Sequence, residues 1–134
     1  MASIASIRSI GHRNATKLRK ANVRTTEALL SQAATRKGRS VISERTGLPT
    51  ADILKWAHQA DMMRVSGIGS EYTDLLSAVG VDTIKVLRRR NAENLMESMS
   101  YVNIRRRIVQ RLPTLDMIQS WIDDSATTEP LITS

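Results

Sequence analysis

The sequence predicts an all-α protein, and two observations support that prediction. Apolar residues recur at the three- and four-residue spacing of a helix face, whereas no run alternates between apolar and polar residues as a half-buried strand would. The 134 residues, 41% hydrophobic and 25% charged, have the balance of an ordinary globular domain. We therefore expect one domain over residues 1–124 and an aperiodic, disordered tail over residues 125–134.

An internal repeat organises the chain. Ile7-Arg8-Ser9-Ile10-Gly11 aligns with Val65-Ser66-Gly67-Ile68-Gly69, and a Leu-Pro-Thr segment followed by a tryptophan occurs twice. Two collinear matches separated by a small insertion predict two diverged repeats, over about residues 4–64 and 65–123. The other aligned positions are Leu18 with Leu76, Val23 with Val81, Leu29 with Leu87, Leu48 with Leu112 and Trp56 with Trp121.

Helix faces and end signals place the elements in order. In the second repeat an apolar face ends at Gly80, and in the first a helix ends at Gly47 before Pro49. We interpret Trp56 and Trp121 as equivalent core anchors. The expected helix starts are Thr25, Thr50, Asp82, Asn91, Asn103 and Thr114.

The two aligned glycine-containing segments, residues 7–11 and 65–69, are called here the first and second hairpin segments. A Gly-hydrophobic-Gly turn permits backbone conformations closed to other residues, and if Gly69 needs a positive φ, valine there should unfold the protein. Free backbone N–H groups at the start of the next helix, with the helix dipole behind them, suit a phosphate oxygen.

These segments resemble the helix-hairpin-helix family, in which a small residue follows the Gly-hydrophobic-Gly turn by four positions. The resemblance implies two helix-hairpin-helix repeats packed into one compact multi-helix domain, and binding of the DNA backbone without sequence readout. The first segment has Ser9 in place of a glycine, and the second is followed by Thr73 instead of alanine. The matching residues are Ile10, Gly11 and Ala15 in the first copy and Gly67, Ile68 and Gly69 in the second.

The layout also resembles the bacterial domain-of-unknown-function family 4332. The residues that carry this resemblance are the element Thr35-Arg36-Lys37-Gly38-Arg39 after the first hairpin segment and Ile53-Leu54-Lys55-Trp56 before the second. The similarity covers roughly residues 4–123 and implies a fold rather than a function.

Positive charge is concentrated in the first half of the chain. The net charge is +7, and residues 1–67 hold 12 Lys/Arg against 4 Asp/Glu. Such an excess favours phosphate-rich or acidic partners. The acid-free first 26 residues could also be an organelle transit peptide, but their repetition later in the chain favours a folded segment. The absence of cysteine fits a reducing compartment, and we expect a cytoplasmic protein.

The first hairpin segment is followed by a basic helix face, with Arg13, Lys17 and Lys20 at positions i, i+4 and i+7. By contrast, Glu71 and Asp74 follow the second hairpin segment, where they would repel a phosphate. The expected nucleic-acid-binding residues are Gly11, His12, Arg13, Lys17 and Lys20, with Lys37 and Arg39 as outlying contacts.

Two arginine triplets lie in the second half. Arg88-Arg89-Arg90 falls near an expected helix C-terminus, where cations interact favourably with the dipole. Arg105-Arg106-Arg107 would lie in the first turn after an Asn103 cap, where cations are disfavoured. That unfavourable placement makes Arg105, Arg106 and Arg107 candidate partner-binding residues, against the alternative of a solvated surface.

The residue inventory argues against an enzyme, and we expect no metal, cofactor or small-molecule substrate. Cysteine is absent, His12 and His58 belong to no ligand-spaced set, and no nucleophilic triad or phosphate loop is visible. No apolar stretch is long enough to span a membrane. The leading expectation is therefore sequence-independent binding of double-stranded DNA through its phosphates. The alternative is a protein–protein adaptor whose basic half meets an acidic partner.

Overall fold

The computed structural model describes residues 2–133, and the regular elements of this range are helical apart from one isolated β-bridge between Ser3 and Thr25. The all-α prediction is confirmed. Two short 3-10 turns, Ile4–Ser6 and Arg8–Ile10, precede the α-helices. These are α1 Gly11–Lys20, α2 Thr26–Gln32, α3 Arg36–Thr46, α4 Thr50–Met62, α5 Ser70–Ala78, α6 Ile84–Leu87, α7 Ala92–Arg106 and α8 Leu115–Ser125.

Short polar side chains fix several helix starts at the predicted positions. The Thr25 hydroxyl accepts a hydrogen bond from the Ala28 amide at 3.0 Å, and Asn91 caps α7 in the same way. The Thr114 hydroxyl accepts from the Met117 amide at 3.1 Å at the start of α8. Each cap satisfies an amide that the helix itself leaves without an acceptor.

Two predicted helix starts are wrong. Thr83, rather than Asp82, caps α6, because the Asp82 carboxylate instead accepts a hydrogen bond from the Ser77 hydroxyl at 2.8 Å. Asn103 lies inside α7, where its side chain bonds forward to Val109: Nδ2 donates to the Val109 carbonyl at 3.0 Å and Oδ1 accepts from the Val109 amide at 2.9 Å. Asparagine commonly caps the start of a helix, but Asn103 instead holds the segment that follows the end of α7.

Contacts divide the chain into two units, residues 2–61 with 131–133 and residues 62–130. The boundary lies close to the expected repeat boundary between residues 64 and 65.

The first unit contains α1, α2, α3 and most of α4. The segment before α1 belongs to its interior, since Ile4 and Ile7 are fully buried and the Ile4 amide donates to the Arg24 carbonyl at 2.9 Å. Trp56 on α4 is buried, as predicted for a core anchor. The other fully buried side chains include Leu18, Val23, Leu29 and Ile53.

The second unit contains α5 to α8 around one apolar core. Trp121 of α8 is buried, and its ring lies 5.2 Å from the Tyr72 ring, centroid to centroid, in a tilted arrangement. The positions that the repeat aligned with the first unit, Leu76, Val81 and Leu87, are buried here too. The same apolar positions therefore form the interior of each unit.

The C-terminal residues differ from the expected disordered tail. Ser125 is still part of α8, and Ile132 is only 7% exposed. The Leu131 amide donates to the Asp61 carboxylate at 3.0 Å, and the Thr133 amide donates to the Ala34 carbonyl at 2.8 Å. Residues 131–133 are therefore an extended part of the first unit rather than a disordered tail. No helix among residues 2–133 combines the length and apolar character needed to cross a membrane.

Candidate nucleic-acid interface

The first hairpin segment contains one 3-10 turn, Arg8–Ile10, and ends in Gly11, whose φ is positive. The Ile10 amide donates to the Ile7 carbonyl at 3.1 Å, and the Gly11 amide donates to the Arg8 carbonyl. Gly11 has φ +76°, and a Cβ built on it would meet nothing within 4 Å. Conformation rather than space therefore requires glycine at this position.

This geometry corrects the role expected for the Gly11 amide. That N–H group is already bonded within the turn, so it is not a free donor for a phosphate oxygen. The amides of His12 and Arg13 follow in the first turn of α1, where an α-helix provides no acceptor for its N–H groups. A phosphate at this helix end would be bound by those two amides.

Ser9 connects the first hairpin segment to α4. Its hydroxyl donates to Gln59 Oε1 at 2.6 Å, and Gln59 is only 4% exposed. The serine that departs from the Gly-hydrophobic-Gly pattern therefore has a positioning role in this unit.

The predicted basic face is present on α1. Arg13, Lys17 and Lys20 are exposed on one side of the helix, and Ala15 and Leu18 are buried on the other. Because α1 contains no Asp or Glu, this face carries three positive charges without a negative charge on the same helix. His12 is exposed at the start of the same helix.

The structure separates the two outlying contacts, Lys37 and Arg39. Lys37 is exposed on α3 and remains available to a ligand. Arg39 is only 3% exposed, and its Nη1 donates to the carbonyls of Ala33 at 2.9 Å and Ala34 at 3.3 Å. Burial, with the nearby charge of Arg36, lowers the pKa of Arg39. The expectation that Arg39 contacts nucleic acid is therefore wrong.

The second hairpin segment has a different backbone. Gly67 has φ +85°, whereas Gly69 is extended with φ −90° and ψ 173°. A Cβ on Gly67 would lie 3.2 Å from Trp121 Nε1. The positive φ expected at Gly69 is thus found at Gly67, so the prediction that valine at Gly69 must unfold the protein loses its basis. Ile68, between the glycines, is buried.

Acidic side chains surround the second hairpin segment. The Ser66 amide donates to Asp124 Oδ2 at 2.7 Å, so Asp124 positions the turn from α8. A Cβ built on Gly69 would lie 2.9 Å from Glu71 Oε2, which places this carboxylate over the start of α5. The N-terminal end of α5, where a phosphate would bind, is therefore already occupied by the negative charge of Glu71.

Comparison with known proteins identifies the family. The model of the Domain of unknown function (DUF4332) family matches residues 8–128. The chain belongs to the DUF4332 family. No curated protein and no solved structure matches this sequence.

In this DUF4332 protein the element Thr35-Arg36-Lys37-Gly38-Arg39 joins α2 to α3. Thr35 caps α3 by accepting from the Gly38 amide at 3.1 Å, and Arg39 binds the carbonyls after α2. A Cβ built on Gly38 would lie 2.0 Å from the Gln32 carbonyl oxygen, so only glycine fits at this contact. The element has a structural function in this DUF4332 domain.

The first arginine triplet of the DUF4332 domain is partly used for packing. Arg88 donates to the carbonyls of Ser125 at 3.1 Å and Thr128 at 2.9 Å, and Arg90 donates to the Val79 carbonyl at 3.5 Å. Arg89 is exposed. These contacts fit the expectation of a structural role for this triplet.

The position expected for the second triplet is wrong. Arg105 and Arg106 form the last turn of α7, and Arg107 is its C-cap residue in the left-handed conformation. Positive charge is favourable at a helix C-terminus, so the argument from an unfavourable dipole does not apply to this DUF4332 protein. All three side chains are nevertheless exposed.

Sequence reasoning missed two residues that shape the hairpin segments, Gln59 and Asp124. One signal was available, because Gln59 and Asp124 each follow the repeat tryptophan by three residues. In this DUF4332 domain both contact their own hairpin segment. The position of the Glu71 carboxylate depends on its rotamer, which the sequence does not specify.

Proposed function

We propose that the first unit binds nucleic acid, as a helix-hairpin-helix domain would, through backbone phosphates and without catalysis. The ligand is double-stranded DNA, read without regard to base sequence. The observation that carries this proposal is the exposed, acid-free basic face of α1, the helix that begins at the positive-φ Gly11.

The proposed contacts divide into amides and cations. The amides of His12 and Arg13 at the start of α1 bind one phosphate oxygen, aided by the helix dipole. Arg13, Lys17 and Lys20 meet neighbouring phosphates along the helix, and the exposed Lys37 adds a contact from α3. Phosphate contacts carry no sequence information, so binding through these groups is independent of base sequence.

The second hairpin segment has no proposed part in this binding. Glu71 lies over the N-terminal end of α5, and a phosphate approaching there would meet a like charge. We infer that the second segment organises helices and that the first contacts the ligand.

Salt dependence tests the proposal. Neutralising about four phosphates on a 25-bp duplex should give a slope of log K against log salt of about −3.6, or about −0.9 per contact. Affinity for two duplexes of unrelated sequence should agree within about twofold. A flat salt response, or strong preference for one sequence, would contradict backbone binding.

A further inference from the structure

We propose that the C-terminal end of α7 binds an acidic, amphipathic segment of another protein. The surface consists of Tyr101, Ile104, Arg105, Arg106 and Arg107 and is called here the α7 platform. It belongs to the second unit and does not depend on the proposed DNA contact of the first.

The platform exposes large apolar groups among positive charges. Ile104 is 77% exposed and Tyr101 is 60% exposed, the two highest values among the exposed large hydrophobic side chains of residues 2–133. They are three positions apart and therefore share one face of α7. Tyrosine and arginine are enriched where protein interfaces carry most of their binding energy.

Local contacts hold the platform in a defined geometry. The Arg105 guanidinium carbon lies 4.6 Å from the centre of the Tyr101 ring, which orients both side chains. Behind them, Asn103 makes two hydrogen bonds to the backbone of Val109. Arg107 has φ +49°, a conformation that glycine or asparagine usually adopts at a helix end. An arginine at that position places its charge on a fixed turn.

The first arginine triplet provides an internal comparison. Arg88 and Arg90 turn toward backbone carbonyls of the second unit. Arg105 instead stacks on an exposed tyrosine, and Arg106 and Arg107 are exposed. The helix dipole accounts for positive charge at the end of α7, but it does not account for Ile104 and Tyr101 beside it.

A groove adjoins the platform. It has a volume of about 690 Å³, and Tyr101 belongs to both groove and platform. The other lining residues are the apolar Ala78, Val79 and Val102 and the polar Asn94, Glu97 and Ser98. An apolar side chain of a bound segment would occupy the groove, and another would cover Ile104. Burial of such groups provides a driving force that a phosphate backbone lacks.

Charge decides the character of the occupant. The platform carries three arginines and no Asp or Glu, whereas Glu97 lines the groove, so the partner needs carboxylates against the arginines and uncharged apolar groups in the groove. Two copies of the platform facing each other would repel. An acidic segment with large apolar residues at helical spacing satisfies both the arginines and the groove.

Selection from a random 16-residue peptide library displayed on phage, with the full chain as target, tests this proposal. The enriched peptides should combine Asp or Glu with large apolar residues. The best synthetic peptide should bind the parent and the matched control Arg89→Glu equally. Ile104→Ser, and separately Arg106→Glu with Arg107→Glu, should each weaken its affinity at least tenfold without changing the circular dichroism spectrum.

The other outcomes overturn the proposal. Peptides without acidic enrichment, or peptides that bind Ile104→Ser as well as the parent, would show that the platform is not the site. Displacement of the peptide by a 25-bp duplex would assign the platform to nucleic acid. A dimer in sedimentation that Ile104→Ser dissociates would assign it to a second copy. The variant Arg13→Glu with Lys17→Glu should leave peptide affinity unchanged. Failure of the DNA proposal for α1 can therefore be distinguished from failure of the peptide proposal for the α7 platform.

Discussion

Two neighbouring cations of α3 show why residue type alone does not define a binding site. Lys37 and Arg39 are two positions apart, and both contribute to the positive charge of the first half. On a helix, however, a separation of two residues places side chains on different faces. Lys37 faces solvent, and Arg39 is buried against the carbonyls of Ala33 and Ala34. Only the first can contribute to a ligand interface.

Substituting these two residues should separate stability from binding. Arg39→Ala should lower the free energy of unfolding by about 2–3 kcal/mol, because it leaves buried carbonyls without a donor. Lys37→Ala should change it by less than about 0.5 kcal/mol, as exposed substitutions usually do. Urea unfolding of both variants measures the difference. Equal stability of the two variants would contradict the structural role of Arg39.

Alanine substitutions at the two glycines of the second hairpin segment should lower the free energy of unfolding by different amounts, as measured by urea unfolding. Gly67→Ala should destabilise by about 1–3 kcal/mol, since alanine is strained at φ +85° and its Cβ would crowd Trp121. Gly69→Ala should lower the free energy of unfolding by less, because the backbone at Gly69 is extended. The group that must move to make room for the new Cβ is the end of the flexible Glu71 side chain. A larger loss for Gly69→Ala than for Gly67→Ala would show that the turn has been assigned to the wrong glycine.

At the scale of elements, the contact between α2 and α3 depends on Gly38. Replacing glycine by alanine within a helix usually raises the free energy of unfolding by about 0.5–1 kcal/mol. Here the added Cβ would lie 2.0 Å from the Gln32 carbonyl oxygen, which is backbone and cannot rotate away. Gly38→Ala should therefore destabilise by about 1–3 kcal/mol through overpacking. A higher melting temperature for this variant would contradict the close contact.

Helix starts were predictable where a single side chain decides them, as at Thr25, Asn91 and Thr114. Prediction failed at Asn103 because an asparagine can cap a helix start or bond to the chain beyond a helix end, and the choice depends on Val109 six residues later. The basic face of α1 was predictable for a similar reason, since helical spacing alone aligns its residues. The position of Glu71 over α5 was not, because it depends on a side-chain rotamer.

For the molecule as a whole, the aligned apolar positions of the sequence correctly predicted buried residues in both units, but they did not place the C-terminal residues. Periodicity is a property of helices and strands, and residues 131–133 form neither. Their position depends on single long-range contacts, such as the bond from the Leu131 amide to Asp61. Such contacts leave no local pattern in the sequence.

A pair of adjacent substitutions tests whether the C-terminal residues stabilise the first unit. Ile132→Ala should lower the free energy of unfolding by about 2–3 kcal/mol, as expected when a buried isoleucine is truncated. Leu131→Ala should have less than half that effect, because the Leu131 side chain is 46% exposed. Urea unfolding compares the two. An unchanged midpoint for Ile132→Ala would mean that the tail does not pack.

The affinity of a charge-reversed α1 for duplex DNA decides whether the basic face of α1 is the DNA interface. Arg13→Glu with Lys17→Glu replaces two exposed cations by anions, so the melting temperature should stay nearly constant, since exposed charges contribute little to stability. Binding to a 25-bp duplex at about 50 mM salt should be lost, because most of the affinity comes from phosphate contacts. The matched reversal after the second hairpin segment, Glu71→Lys, should leave binding intact or tighten it. If the Arg13/Lys17 variant binds as tightly as the parent, the basic face of α1 is not the interface.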